Sequence, residues 1–177
     1  MLKREVIDRL KHAIHPGNVI DDLGKVKQYS SDALTPARAS TFIQFMDNTA
    51  DVVVTPRSLG DVVSIVTLAD TYHTPLIPYG GGTGIMGAIT PTNGGIIVDL
   101  RGLNRLIEIN AKNMTTTVES GVILEKLNQS LDIENMMIGH EPWSVPIATI
   151  GGAISTNGVG YRASSKGPMG EQVLGLE

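Results

Sequence analysis

The chain has 177 residues, 41% hydrophobic and 18% charged, with a net charge of −4, which is the balance of a globular protein with a real core. An acidic balance without any basic cluster argues against nucleic acid and anionic membrane as partners. The absence of cysteine excludes disulfides, thiol catalysis and cysteine metal sites. No apolar run reaches the length of a membrane span, and Met1-Leu2-Lys3-Arg4-Glu5 has no continuous apolar core behind its charges. The expectation is a soluble, cytoplasmic protein.

Leu2, Val6, Leu10 and Ile14 recur at helical spacing, and His15-Pro16-Gly17 stops the segment. Lys3, Arg4, Arg9 and Lys11 mark its solvated face. Residues 18–50 read as irregular, with Tyr29-Ser30-Ser31-Asp32 and Thr35-Pro36-Ala37 as turns. Residues 1–50 are therefore a helix plus an irregular lead-in, and 51–177 are the main domain.

Val52-Val53-Val54 is a short β-branched run, as in a buried strand. Ser58 and Asp61 form a capping box for the next helix, on which Val62, Val63, Ile65, Val66, Leu68 and Ala69 supply a broad apolar face. His73-Thr74 ends the helix and Leu76-Ile77 opens a strand. A right-handed β-α-β crossover would make the two strands parallel neighbours.

That second strand delivers Pro78-Tyr79-Gly80-Gly81-Gly82-Thr83-Gly84-Ile85-Met86-Gly87, half of it glycine. Glycine reaches positive φ and bares backbone N–H groups. No Lys, Arg or His lies between Thr74 and Leu100, so an anion bound here is expected to rest on amide dipoles rather than side-chain charge. A dinucleotide diphosphate suits that pattern. Gly82, Gly84 and Gly87 spell G-x-G-x-x-G, but Ala88 to Gly95 is too rich in turn formers for the helix that a Rossmann fingerprint requires. A Walker A loop is excluded because no Gly-Lys-Ser/Thr follows. The competing reading is a purely structural glycine loop.

Downstream, residues 96–100, 105–109 and 115–119 read as strands, the last two joined by a turn at Asn110 to Asn113. Val122, Leu124, Leu127 and Leu131 give a helix. Parallel start and antiparallel sequel make an α+β arrangement. A second small-residue cluster runs from Ala148 to Gly160, with Thr149 as N-cap, so that Gly151-Gly152 would open a short helix whose positive end is free. Tight helix packing is the alternative. Before it, His140-Glu141 lacks the second histidine of a zinc helix, and Pro142 breaks any helix, which excludes a zinc protease. A Ser-His-Asp hydrolase lacks its G-x-S-x-G elbow. The bland reading of His140-Glu141 is a solvated loop pair, of Trp143 a packing anchor, and of Met136-Met137 core filling. Residues 171–177 look like the start of a strand, which suggests truncation at the C-terminus.

Six segments in this order resemble the FAD-linked oxidase family, whose fold is shared with p-cresol methylhydroxylase and vanillyl-alcohol oxidase. They are Tyr29 to Asp32; Val54 to Ser58; Pro78 to Gly84; Val98-Asp99-Leu100 with Leu103-Asn104; Val118 to Val122; and Thr149 to Gly152 with Asn157 and Gly160. The resemblance implies a PCMH-type FAD-binding fold of two α/β subdomains holding FAD between them. Pro78, Tyr79, Gly80, Gly81, Gly82, Thr83, Gly84 and Ile85 would surround the diphosphate. Glu141, Pro142 and Ser144, then Thr149, Ile150, Gly151 and Gly152, would follow the ribityl chain and flavin ring. Ser155, Asn157, Gly158 and Gly160 match the next family segment. Covalent flavin attachment in the family often uses a histidine near the glycine loop. None stands here, so the FAD is expected to be non-covalent.

Within the family the chain is most similar to the branch oxidising D-2-hydroxy acids, such as D-lactate dehydrogenase and the glycolate oxidase flavoprotein subunit. Gly139-His140-Glu141-Pro142 with Ser144 is also similar to alkyldihydroxyacetonephosphate synthase. The resemblance implies a small 2-hydroxy-acid substrate bound by a cap domain that this chain does not include, so no catalytic base is named and the chain alone is expected not to turn over. A non-catalytic FAD-binding module completed by a partner chain stays open, as does a homo-oligomer.

Overall fold

The computed structural model describes residues 4–34 and 48–177; Leu2, Lys3 and the expected turn at Thr35-Pro36-Ala37 lie outside them. The fold is α+β, and the chain divides after Gly102 into two units.

Two runs of the first unit have no polar face. Val52, Val53 and Val54 form β2 (Val52–Val54), and Ile96, Ile97 and Val98 begin β4 (Ile96–Asp99). Every residue of both strands is buried, which fits strands covered on both faces. With β1 (Val19–Ile20) and β3 (Leu76–Tyr79) they make a sheet in the order β1-β2-β4-β3. Strand β4 pairs parallel with both β2 and β3, while β1 runs antiparallel to β2. The two strands of the β-α-β unit are therefore parallel but not neighbours. The wholly apolar Ile96-Ile97-Val98 run takes the central place between them, where both of its faces and both of its edges are covered.

Helix α1 (Arg4–Ala13) turns Ile7 and Leu10, followed by Ile14, onto Val52, Val54, Ile96 and Val98. Its cations are partly tied down: Lys11 Nζ meets Asp21 at 2.7 Å and Arg9 pairs with Glu5 on the next turn. The irregular lead-in contains β1 and a helix α2 (Leu23–Tyr29), N-capped by Asp22, whose side chain accepts from the Lys25 amide. Val26 of α2 packs with Ala50, Val53, Tyr79 and Ile97 on the sheet's other face. Helix α3 (Leu59–Thr71) begins where expected: Ser58 Oγ accepts from the Asp61 amide at 3.1 Å. Asp61 returns a bond to the Arg57 amide at 2.7 Å, one residue before the cap. Its buried stripe is narrower than the composition suggests. Ile65 and Ala69 are buried and Leu68 packs beside them, whereas Val63 and Val66 are 57% and 48% exposed.

In the second unit β5 (Leu106–Asn110) and β6 (Thr115–Val118) form an antiparallel hairpin, with Asn110 Oδ1 accepting from the Asn113 amide across the turn. Helix α4 (Leu124–Asp132) lays Leu124, Leu127 and Leu131 against Ala148, Ile150, Ala153 and Met169. Two short helices follow, α5 (Ile150–Ser155) and α6 (Ala163–Lys166). The expected strand at 171–177 does not form: Met169–Gln172 is a 3₁₀ turn, and Leu174 and Leu176 stand exposed beyond it. Trp143 is 65% exposed, so it is no packing anchor; Met136 packs on the core but Met137 does not.

Replacing Ile97 by Ala, at 0% exposure, should cost about 2–4 kcal/mol in denaturant unfolding. Val66→Ala on the exposed face of α3 should stay within about 0.5 kcal/mol.

Candidate functional site

The glycine loop leaves the C-terminal end of β3, beside the C-terminal end of β4 in the parallel sheet. In open α/β sheets ligands collect beyond those strand ends. Residues 80–95 contain no helix, as their turn formers predict. Gly82 and Gly87 take φ of +65° and +72°, so the loop uses glycine where other residues would be strained. Among the described residues, the amides of Gly81, Gly82, Thr83, Gly84 and Ile85 donate no hydrogen bond within the protein. They are a run of five donors without an acceptor among the described residues, which is what an anion-binding nest requires.

The loop is braced by carboxylates from outside it. Asp32 Oδ2 accepts from the Gly87 amide at 2.9 Å, and Asp32 Oδ1 accepts from Leu34 at 2.9 Å. The Ala33 amide donates to the Gly84 carbonyl at 2.8 Å. At the far end Asp51 Oδ2 accepts from Gly95 at 2.8 Å. Tyr79 is buried, its phenol packed against Gly82 so closely that a Cβ there would lie 2.6 Å from the hydroxyl. Burial pushes the Tyr79 phenol up from its ordinary value, so it stays protonated. Its ring stands 5.1 Å from that of Tyr29, and the Arg101 guanidinium lies over both. The sequence window from Thr74 to Leu100 is free of cations, yet the fold returns one from the residue just past it.

The second cluster is built differently. Thr149, buried, caps α5 by accepting from Gly152 at 3.2 Å. The Ile150 amide donates to the Val122 carbonyl and the Gly151 amide to that of Ser120 at 2.7 Å. A Cβ on Gly151 would lie 2.8 Å from Ser120 Cβ. The expected free positive end of this helix is thus absent: the segment 120–122 runs against it, bridged at Ile123 and Thr149, and uses its donors. Gly151 serves close packing, while Gly152 is exposed. Ser155 and Asn157 are exposed as well, the latter at φ +46° with its Oδ1 accepting from Gly170.

His140 is no solvated loop residue. It is 3% exposed, its ring packed on Gly158, and its Nδ1 has no hydrogen-bond partner among the described residues. Burial pulls its pKa below the ordinary 6.5. Glu141 pairs with Arg162 at 2.6 Å. Gly160 lies so close to the Glu141 backbone that a Cβ would lie 2.6 Å from its nitrogen. Ser144 is buried, and its carbonyl accepts from Ala148 at 2.8 Å.

Residues 50–177 match the family model of the FAD binding domain. The chain belongs to this family. It is 31% identical over its whole length to glycolate oxidase subunit GlcD of Bacillus subtilis (strain 168), covering 36% of that protein. Among solved structures, an alkyldihydroxyacetonephosphate synthase matches 98% of the chain and 32% of its own, at 25% identity and a TM-score of 0.86. A p-cresol methylhydroxylase structure with substrate bound matches 88% of the chain and 29% of its own, at 18% identity and a TM-score of 0.72. The fold is therefore of the p-cresol methylhydroxylase type, and the chain spans about a third of the length of these relatives.

The bare amides of Gly81 to Ile85 suit the diphosphate of the FAD that the family binds. Among the residues whose roles the sequence did not show, Asp32 is the clearest: it lies inside a segment read as a turn and as one of the family-like stretches, with no contact assigned to it, and its reach to Gly87 crosses 55 positions. Arg162 is the ion-pair partner of Glu141, a contact that no local sequence signal marks.

Gly151→Ala should lower the melting temperature by several degrees with or without FAD, because the added Cβ meets Ser120. His140 gives a pH dependence with a definite sign. Its folded pKa lies below its unfolded one, so the unfolded state binds the proton more readily, and stability is lost as pH falls through about 6.5. The melting temperature should fall more steeply between pH 7.5 and 5.5 for the native protein than for His140→Gln.

Proposed function

We propose that this chain is the FAD-binding portion of a flavoprotein oxidoreductase that oxidises a D-2-hydroxy acid, of the D-lactate or glycolate type, to the 2-oxo acid. The carrying observation is the row of amides from Gly81 to Ile85, without an acceptor among the described residues, at the end of a parallel strand. Five such donors can hold a doubly charged diphosphate without a counter-cation. Pro78, Tyr79, Gly80 and the loop through Ile85 are assigned to the diphosphate. Glu141, Pro142, Ser144, Thr149, Ile150, Gly151 and Gly152 are assigned to the remainder of FAD, with Ser155, Asn157 and Gly160. In this second group the occupied amides of Gly151 and Gly152 leave close approach by an exposed glycine as the contribution of the helix. FAD is held non-covalently, since no histidine stands in the glycine loop.

When bound, the flavin would supply the capacity to accept two electrons from the substrate as one hydride equivalent; the residues of this chain bind it and orient it. The 31% identity to a glycolate oxidase subunit over the full chain supports the 2-hydroxy-acid reading. We assign substrate binding and proton removal to none of these residues. A second reading, an alkyldihydroxyacetonephosphate synthase-like flavoenzyme, is favoured by the TM-score of 0.86 to such a structure.

Titration of the purified chain with FAD, followed by flavin fluorescence, tests the reading. Saturable binding is expected, with the flavin released intact on acid precipitation. A chain that binds neither FAD nor ADP would overturn it. Asp32→Ala should weaken FAD binding about tenfold, because the Gly87 amide loses a charged acceptor and the loop its brace.

A further inference from the structure

We propose that Arg101 is a positioning residue for the FAD diphosphate, fixing the Tyr79 phenol against Gly82 and so presetting the nest of loop amides. The inference rests on the FAD reading above. Asp99 ends β4 directly opposite Tyr79 in the sheet register, and only 4% of it is exposed. Its two oxygens take Arg101 Nε and Nη2, each at 2.8 Å, and Oδ1 also takes the Arg101 amide at 3.1 Å. A bidentate fork of this kind fixes the plane of the guanidinium as well as its position. The plane is laid over Tyr79, 5.0 Å from the ring centroid, and over Tyr29 at 5.6 Å. The two rings are themselves tilted against each other at 57°.

The chain of contact ends at the loop. Gly82 holds φ of +65° with the Tyr79 hydroxyl beside it, so the phenol forms the wall on which the turn rests. If the ring swung away, Gly82 would lose that wall, and the braces left to the loop would be those at Gly84 and Gly87. Arg101 cannot act as a plain counter-ion, because Asp99 already balances its charge. It acts by geometry, which separates arginine from lysine here: a lysine would keep the charge and lose both the fork and the flat face.

The test compares the full native chain with Arg101→Lys and Arg101→Ala, measuring FAD affinity and ADP competition at a temperature where melting curves show each variant folded. ADP carries the diphosphate without the flavin ring. The native chain should bind both. Arg101→Lys should weaken both about fivefold and Arg101→Ala about tenfold or more, with flavin absorption in the bound state unchanged. A role confined to stability would lower the melting temperature and leave ADP affinity of the folded protein where it was; that result overturns the proposal. If Arg101→Ala does not fold, unaltered ADP affinity in Arg101→Lys overturns it equally. Native protein that binds FAD but not ADP also overturns it, since no independent diphosphate nest then exists. Native protein that binds neither fails the FAD reading itself.

Discussion

Strand β4 is the constraint on which the first unit depends. Its Ile96-Ile97-Val98 run has no polar face to offer water, so it is stable only with strands at both edges and side chains on both faces. That requirement draws β2 and β3 in as parallel partners, and parallel pairing sets their C-terminal ends side by side. The glycine loop leaves at that end because β3 does. Asp99, the one polar residue of β4, stands at the same end and supports Arg101 from below. A hydrophobic demand in the middle of the sheet thus decides where the polar chemistry collects.

The two glycine clusters look alike in composition and use their backbones in opposite ways. In the loop after β3 the amides are left bare while carboxylates hold the ends, Asp32 at Gly87 and Asp51 at Gly95. At α5 the first amides are consumed by Val122, Ser120 and Thr149. Glycine in the first case supplies positive φ and open donors. In the second it lets Ser120 come within contact distance of a backbone that carries no Cβ. Each of these carboxylates is engaged by an amide toward the end of the loop.

Much of this was legible in the chain. Ser58 as cap, the β-branched run at 52–54, the hairpin turn at Asn110 to Asn113 and the non-helical continuation of the glycine loop are all local signals, carried by residues within a few positions of each other. What was not legible depended on distance or competition. The place of β4 between β2 and β3 follows from comparing three apolar strands, which no single window reveals. Asp22 capping α2 was a readable local signal, hidden by the polar residues around it. The reach of Asp32 to Gly87, the return of Arg101 to Tyr79 and the pairing of Glu141 with Arg162 are contacts across the fold. The burial of His140 runs against its polarity and brings its ring against Gly158, eighteen positions on.

Pro78 has a consequence beyond its place before the loop. Among the described residues, the sheet ends on one side at β1, two residues long, and on the other at β3. An open edge strand is a template for pairing with another chain, which is how sheet proteins come to aggregate. A two-residue edge offers too little ladder to recruit a neighbour. On the other side proline withholds one amide from the middle of β3, so an incoming strand would meet a gap in the ladder. The residue that ushers the backbone into the glycine loop thus also interrupts the row of amides along β3.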